Sequence, residues 1–127
     1  MKQAVLLLLV CSAVLFSCSK SDSNVVTKTP FSGTWQLAET LADIGNGSGT
    51  WQPATEPLLL TFTTDGRIEG TAFPQARRYV VTSDKNIRFI YADSTFINYN
   101  YSLVNTTLVL SGGGCIEACG LKFKKQL

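Results

Sequence analysis

The sequence predicts an all-β domain of about eight antiparallel strands, a sandwich or a barrel, and three observations carry that expectation. Short stretches of alternating apolar and polar residues recur along the chain at spacings of about 8–12 residues. Asp65-Gly66 falls between two such stretches and reads as a hairpin turn, since glycine takes a positive φ without strain. After residue 30, no segment holds a helical period over three turns.

The chain has 127 residues, enough for one domain. It opens "MKQAVLLLLVCSAVLFSCSKSDSN", with Lys2 followed by an apolar run of 13 residues from Ala4 to Phe16. A helix needs about 20 apolar residues to span a bilayer, so this run reads as a secretory signal, residues 1–17, removed from the mature protein. Residues 18–30 are polar, end in Pro30 and read as a tether. The domain is expected over 31–127.

Its elements follow in order. "GTWQLAETL" (33–41) is expected to set Trp35, Leu37 and Leu41 on one side of a strand. "PLLLTFTT" (57–64) does the same with Leu58, Leu60 and Phe62, and the Asp65-Gly66 hairpin follows. Further strands are expected at 77–82, 86–92, 95–103, 106–112 and 119–126, joined by short, turn-prone connectors. Residues 42–57, "ADIGNGSGTWQPATEP", form a long Gly-rich loop at the barrel mouth. Asp43, Asn46 and Ser48 offer oxygens there, but the spacing fits no standard Ca²⁺ loop. Trp51 is either a lid or contact residue, or packs back on the barrel.

Several motifs resemble known families. "LFSC" resembles the lipobox of bacterial lipoproteins, which implies acylation of Cys18 and leaves Cys11 in the discarded peptide. "GTWQLAE", "DIGNGSGTW", "FTTDG" and "CIEACGLKF" together resemble the small lipocalin-like lipoproteins of Bacteroidota. The resemblance implies an up-and-down, lipocalin-like barrel of about eight strands. It also implies a base built on Gly33 and Trp35, with Lys122 or Lys124 packed over the tryptophan. "DST" (93–95) resembles an O-glycosylation motif of exported proteins of that group, with Ser94 as acceptor, against a plain polar turn.

The chemistry available is limited. The chain has no histidine, so a Ser-His-Asp arrangement is excluded and the commonest metal ligand is missing. With Cys18 acylated, only Cys115 and Cys119 remain, too few for structural zinc. Their three-residue spacing, with Glu117 between them, does not suit a redox pair. A disulfide is expected instead, closing a five-residue loop worth about 2 kcal/mol and seating the last strand. Asp65 and Glu69 read as a turn former and a strand residue rather than a catalytic pair, and no enzyme activity or cofactor is expected.

Without Lys2, ten Lys and Arg face nine Asp and Glu, a formal charge of +1, which does not suit nucleic acid. Lys122, Lys124 and Lys125 read as a solvated strand face. Phe62, Tyr79, Phe89, Tyr99 and Tyr101 either fill the core or line an apolar pocket. The expectation is therefore a monomeric lipoprotein, anchored by lipid in the cell envelope, in the outer membrane given Ser19. Its barrel would take a small apolar ligand. The alternative is a non-catalytic accessory that binds another envelope protein through the 42–57 loop.

Overall fold

A computed structural model describes residues 30–115 and 119–127. The strands are β1 (Gly33–Ala42), β2 (Trp51–Pro53), β3 (Leu59–Phe62), β4 (Ile68–Gly70), β5 (Ala76–Val81), β6 (Asn86–Tyr91), β7 (Phe96–Val104), β8 (Thr107–Gly112) and β9 (Cys119–Lys125). All pair antiparallel, in the order β4-β3-β1-β9-β8-β7-β6-β5. β2 lies opposite Glu39–Leu41 and β3 opposite Gly33–Gln36, so these two short strands share one place beside β1. That leaves eight positions around the wall. β4 and β5, the ends of the order, meet through a single bridge between Arg67 and Arg78. The all-β, up-and-down barrel of about eight strands expected from the sequence is what the chain forms, nearly closed at this seam.

Period-two alternation explains most of the wall. Leu60 and Phe62 on β3, Ile87 and Phe89 on β6, Leu108 and Leu110 on β8, and Phe123 on β9 all point inward and are buried. The turn after β3 is the expected hairpin: Gly66 has φ 85°, and the Thr63 N–H donates to the Arg67 carbonyl at 3.0 Å.

Two sequence expectations are corrected. β1 carries an irregularity between Leu37 and Glu39, where Leu37 pairs with Phe123 but Glu39 with Lys122. An extra residue reverses the side-chain parity beyond it. Leu41 therefore leaves the face of Trp35 and Leu37 and pairs with Gly120 and Trp51 on the outer wall. The 42–57 segment is also not one loop, since β2 lies within it.

Candidate functional site

The base of the barrel is closed by the residues that lead into β1. Phe31 is fully buried, its ring 4.8 Å from Tyr101 and 5.6 Å from Phe62, and its carbonyl accepts the Trp35 indole N–H at 2.7 Å. Gly33 has φ 121° and lies against the Lys125 side chain. The Lys125 ammonium lies 5.3 Å from the Trp35 ring centroid. The basic residue over the tryptophan is thus Lys125, not Lys122 or Lys124. Phe123 points inward, so its second neighbour Lys125 shares its face, whereas Lys122 and Lys124 point out. Lys124 donates to the Thr107 hydroxyl at 2.6 Å on the outer wall.

Between base and rim the interior is occupied by rings. Phe62 packs edge-on against Tyr79 (4.9 Å) and Phe89 (5.9 Å), and Phe89 lies 5.0 Å from Tyr99. Phe73, from the turn between β4 and β5, adds a further ring, 5.0 Å from Phe89, 5.7 Å from Tyr99 and 6.5 Å from Phe123. The five candidate ligand-lining residues, Phe62, Tyr79, Phe89, Tyr99 and Tyr101, are therefore brought together, but as packing partners. Sequence reasoning missed Phe31 and Phe73. Both lie in turns, where no period marks an inward side chain; an aromatic inside the Gly- and Pro-flanked "GTAFPQ" was the available signal for Phe73.

At the upper rim, the β8–β9 connection crosses Tyr99. A Cβ at Gly113, whose φ is 76°, would lie 2.0 Å from the Tyr99 ring, so only glycine passes there. The Tyr99 hydroxyl lies 3.4 Å from that of Tyr91, and burial followed by this hydrogen bond pushes its pKa well up. Beyond the glycines, Cys115 and Cys119 form a disulfide with their Cα atoms 6.3 Å apart. Cys119 opens β9 and pairs with Ala42 at the end of β1, so the bridge seats the strand that closes the barrel.

The 43–50 loop is organised by one carboxylate. Asp43 accepts the N–H groups of Gly45 (2.8 Å), Asn46 (3.1 Å), Gly47 (3.2 Å) and Gly49 (3.0 Å). These bonds, that from Gly49 foremost, hold its pKa below the usual carboxylate value. Asn46 Oδ1 accepts the Ser48 N–H at 3.0 Å and the Ser48 hydroxyl. The oxygens considered as cation ligands thus serve the loop's own donors. Among the described residues, no three His, Cys, Asp or Glu groups gather as a metal site.

Trp51 packs back on the outer wall. A Cβ at Gly120 would lie 2.6 Å from its ring, and the Lys122 ammonium sits 4.3 Å from the ring centroid while pairing with Glu39. Asp65 bonds the Thr63 hydroxyl and pairs with Arg67 at 2.9 Å, chiefly the former lowering its pKa, as suits a turn former. Ser94 is exposed in the β6–β7 turn at φ 68°, between Asp93 and Thr95, which are bonded to each other at 2.6 Å. Cys11 and Cys18 lie outside the described residues.

No family model, curated protein or solved structure matches the chain. The fold and these contacts define a small β-barrel with a packed interior, whose candidate sites lie at the upper rim and on the wall.

Proposed function

We propose that this chain is an exported, lipid-anchored, non-catalytic protein of the cell envelope that binds another envelope protein through the 42–57 segment. One observation carries the choice. The Asp43 carboxylate ties down four backbone N–H groups, and Trp51 pins the following strand to the wall, while Ile44 at the tip is 79% exposed. A loop already ordered loses little conformational freedom on binding. The lipobox-like "LFSC" and the tether behind it support an anchor at Cys18, with several acyl chains giving stable attachment where one alone is marginal.

A photo-crosslinking residue placed at Ile44 in cells should capture one stable envelope partner, lost with Asp43→Ala. Capture that survives Asp43→Ala, or that is no stronger than from an exposed position on the opposite wall, removes the loop reading. Fatty-acid-analogue labelling should vanish with Cys18→Ala; retained labelling removes the anchor.

A second reading, a small apolar ligand, is favoured by a groove of about 370 Å³ along the β4–β5 seam. On this reading the ligand would lie in the wall rather than among the rings of the interior.

A further inference from the structure

Among the described residues, β4 and β5 share one backbone bridge, Arg67 to Arg78. The Tyr79 N–H donates to the Gly66 carbonyl at 3.0 Å beside it, so the two arginines form a non-hydrogen-bonded pair. In such pairs the facing side chains stand closest, and like charges set opposite each other weaken a sheet. Arg67 leans toward Asp65, with the two side chains 61% and 58% exposed, a pair too wet to offset much. The Arg78 side chain makes no hydrogen bond or ion pair among the described residues.

The groove runs along this seam. Its apolar lining is Ile68, Phe73, Pro74 and Ala76, of which Phe73 and Pro74 are the more exposed, and Arg67, Arg77 and Glu69 are its charged lining. Arg77 is steadied by its Nη1, which donates to the carbonyls of Pro74 (2.9 Å) and Ala76 (3.2 Å), leaving its other N–H groups for a ligand. Two guanidinium groups, Arg67 and Arg77, thus line the groove together with Glu69, and Arg78 stands opposite Arg67 at the bridge. The opposed like charges weaken the joint modestly, an anion between them removes that repulsion, and the apolar lining suits more than a bare anion.

We propose that the β4–β5 seam binds a single-chain amphiphilic anion. Its acid group is received by Arg67 and Arg77, beside the bridge to Arg78, and its alkyl chain lies over Phe73 and Pro74. Guanidinium forks match carboxylate and phosphate geometry, and an anion between opposed arginines removes the repulsion across the seam. The site rests on the small-ligand reading and is independent of the loop's partner.

Calorimetric titration of the full chain carrying Cys18→Ala, which keeps its own acyl chains out of the cell, tests this with laurate, dodecanol and acetate. Laurate below its micelle concentration should bind one per chain, about tenfold or more tighter than either control, and Arg77→Gln should weaken it about tenfold or more. Lys124→Ala removes the same charge from another strand and should leave binding unchanged. The apo Arg78→Gln protein should unfold no earlier than its parent, because a like-charge pair has gone. Equal laurate and dodecanol binding, indifferent to Arg77→Gln, overturns the arginine site but leaves the ligand reading. Equal weakening by Lys124→Ala overturns it as diffuse electrostatics. If none of the three probes binds, site and ligand reading fall together.

Discussion

Phe73 plugs the barrel from a turn, and replacing it by alanine measures how far the interior is a true core. Its ring meets Phe89 at 5.0 Å and 89°, Tyr99 at 5.7 Å and 66°, and Phe123 at 6.5 Å. A fully buried Phe→Ala change costs about 3–5 kcal/mol, and Phe73 is only partly buried, so about 2–3 kcal/mol is expected. Against a total stability of about 5–15 kcal/mol that is a large fraction. The melting temperature should fall by about 10–20 °C, and the urea midpoint should drop with m unchanged. Phe96→Ala is the control. That ring is 54% exposed on the outer wall, with the Arg88 guanidinium 4.2 Å from its centroid, and its loss should cost under about 1 kcal/mol. If Phe73→Ala costs no more than Phe96→Ala, the ring is not seated in the interior, and a ligand-sized space there becomes tenable.

Three further outcomes follow from the rim and wall. Reducing the Cys115–Cys119 bridge should add two hydrogens to the intact mass, and Cys115→Ser with Cys119→Ser should cost about 2 kcal/mol in urea unfolding; an unchanged mass would show the thiols free. Gly120→Ala should expel the Trp51 ring and red-shift its emission, since the new Cβ would lie 2.6 Å from the ring; an unshifted spectrum would place Trp51 elsewhere. The backbone N–H groups around Asp43 hold its folded pKa below the ordinary aspartate value, so it holds its proton more weakly when folded. Its hold on the loop should be complete above 3.8 and be lost as pH falls through the lowered value. NMR shifts of the Gly45 and Gly49 amides, followed on acidification, should move together below 3.8 and stay flat in Asp43→Asn.

Strand by strand, legibility tracked how far a residue's orientation depends on its neighbours in sequence. Leu58, Leu60 and Phe62 follow from alternation, the Asp65-Gly66 turn from its residue pair, and the Cys115–Cys119 bridge from the export signal and the lack of other ligands, and the barrel shows all three. Leu41 was misplaced because one irregular residue in β1 reverses parity, and nothing local to Leu41 reveals it. Lys125 was recoverable: counting two from Phe123 puts it inside, whereas Lys122 and Lys124 fall outside. Phe31 and Phe73 are set by tertiary packing from turns, which have no period to read. The candidate sites were harder still. Trp51 could be assigned only once Gly120 was known to lie beneath it, and the opposed arginines appear only when the seam registers Arg67 against Arg78.

The two joints that close the wall are built to opposite standards. β1 and β9 pair from Trp35 with Lys125 to Ala42 with Cys119, with the Lys125 and Trp35 contact at the lower end and the disulfide at the upper. β4 and β5 share one bridge, with arginine set against arginine. If closure alone governed both joints, the second would carry opposite charges or apolar pairs, since either stabilises a cross-strand pair by about 0.2–1 kcal/mol. On the proposed ligand reading, the repulsive joint is where the anion would enter. Strengthening the weak joint is therefore informative: Arg78→Glu should pair with Arg67, raise the melting temperature of the apo protein, and abolish laurate binding. A variant that is both more stable and still binds laurate would show the seam to be merely an imperfect closure.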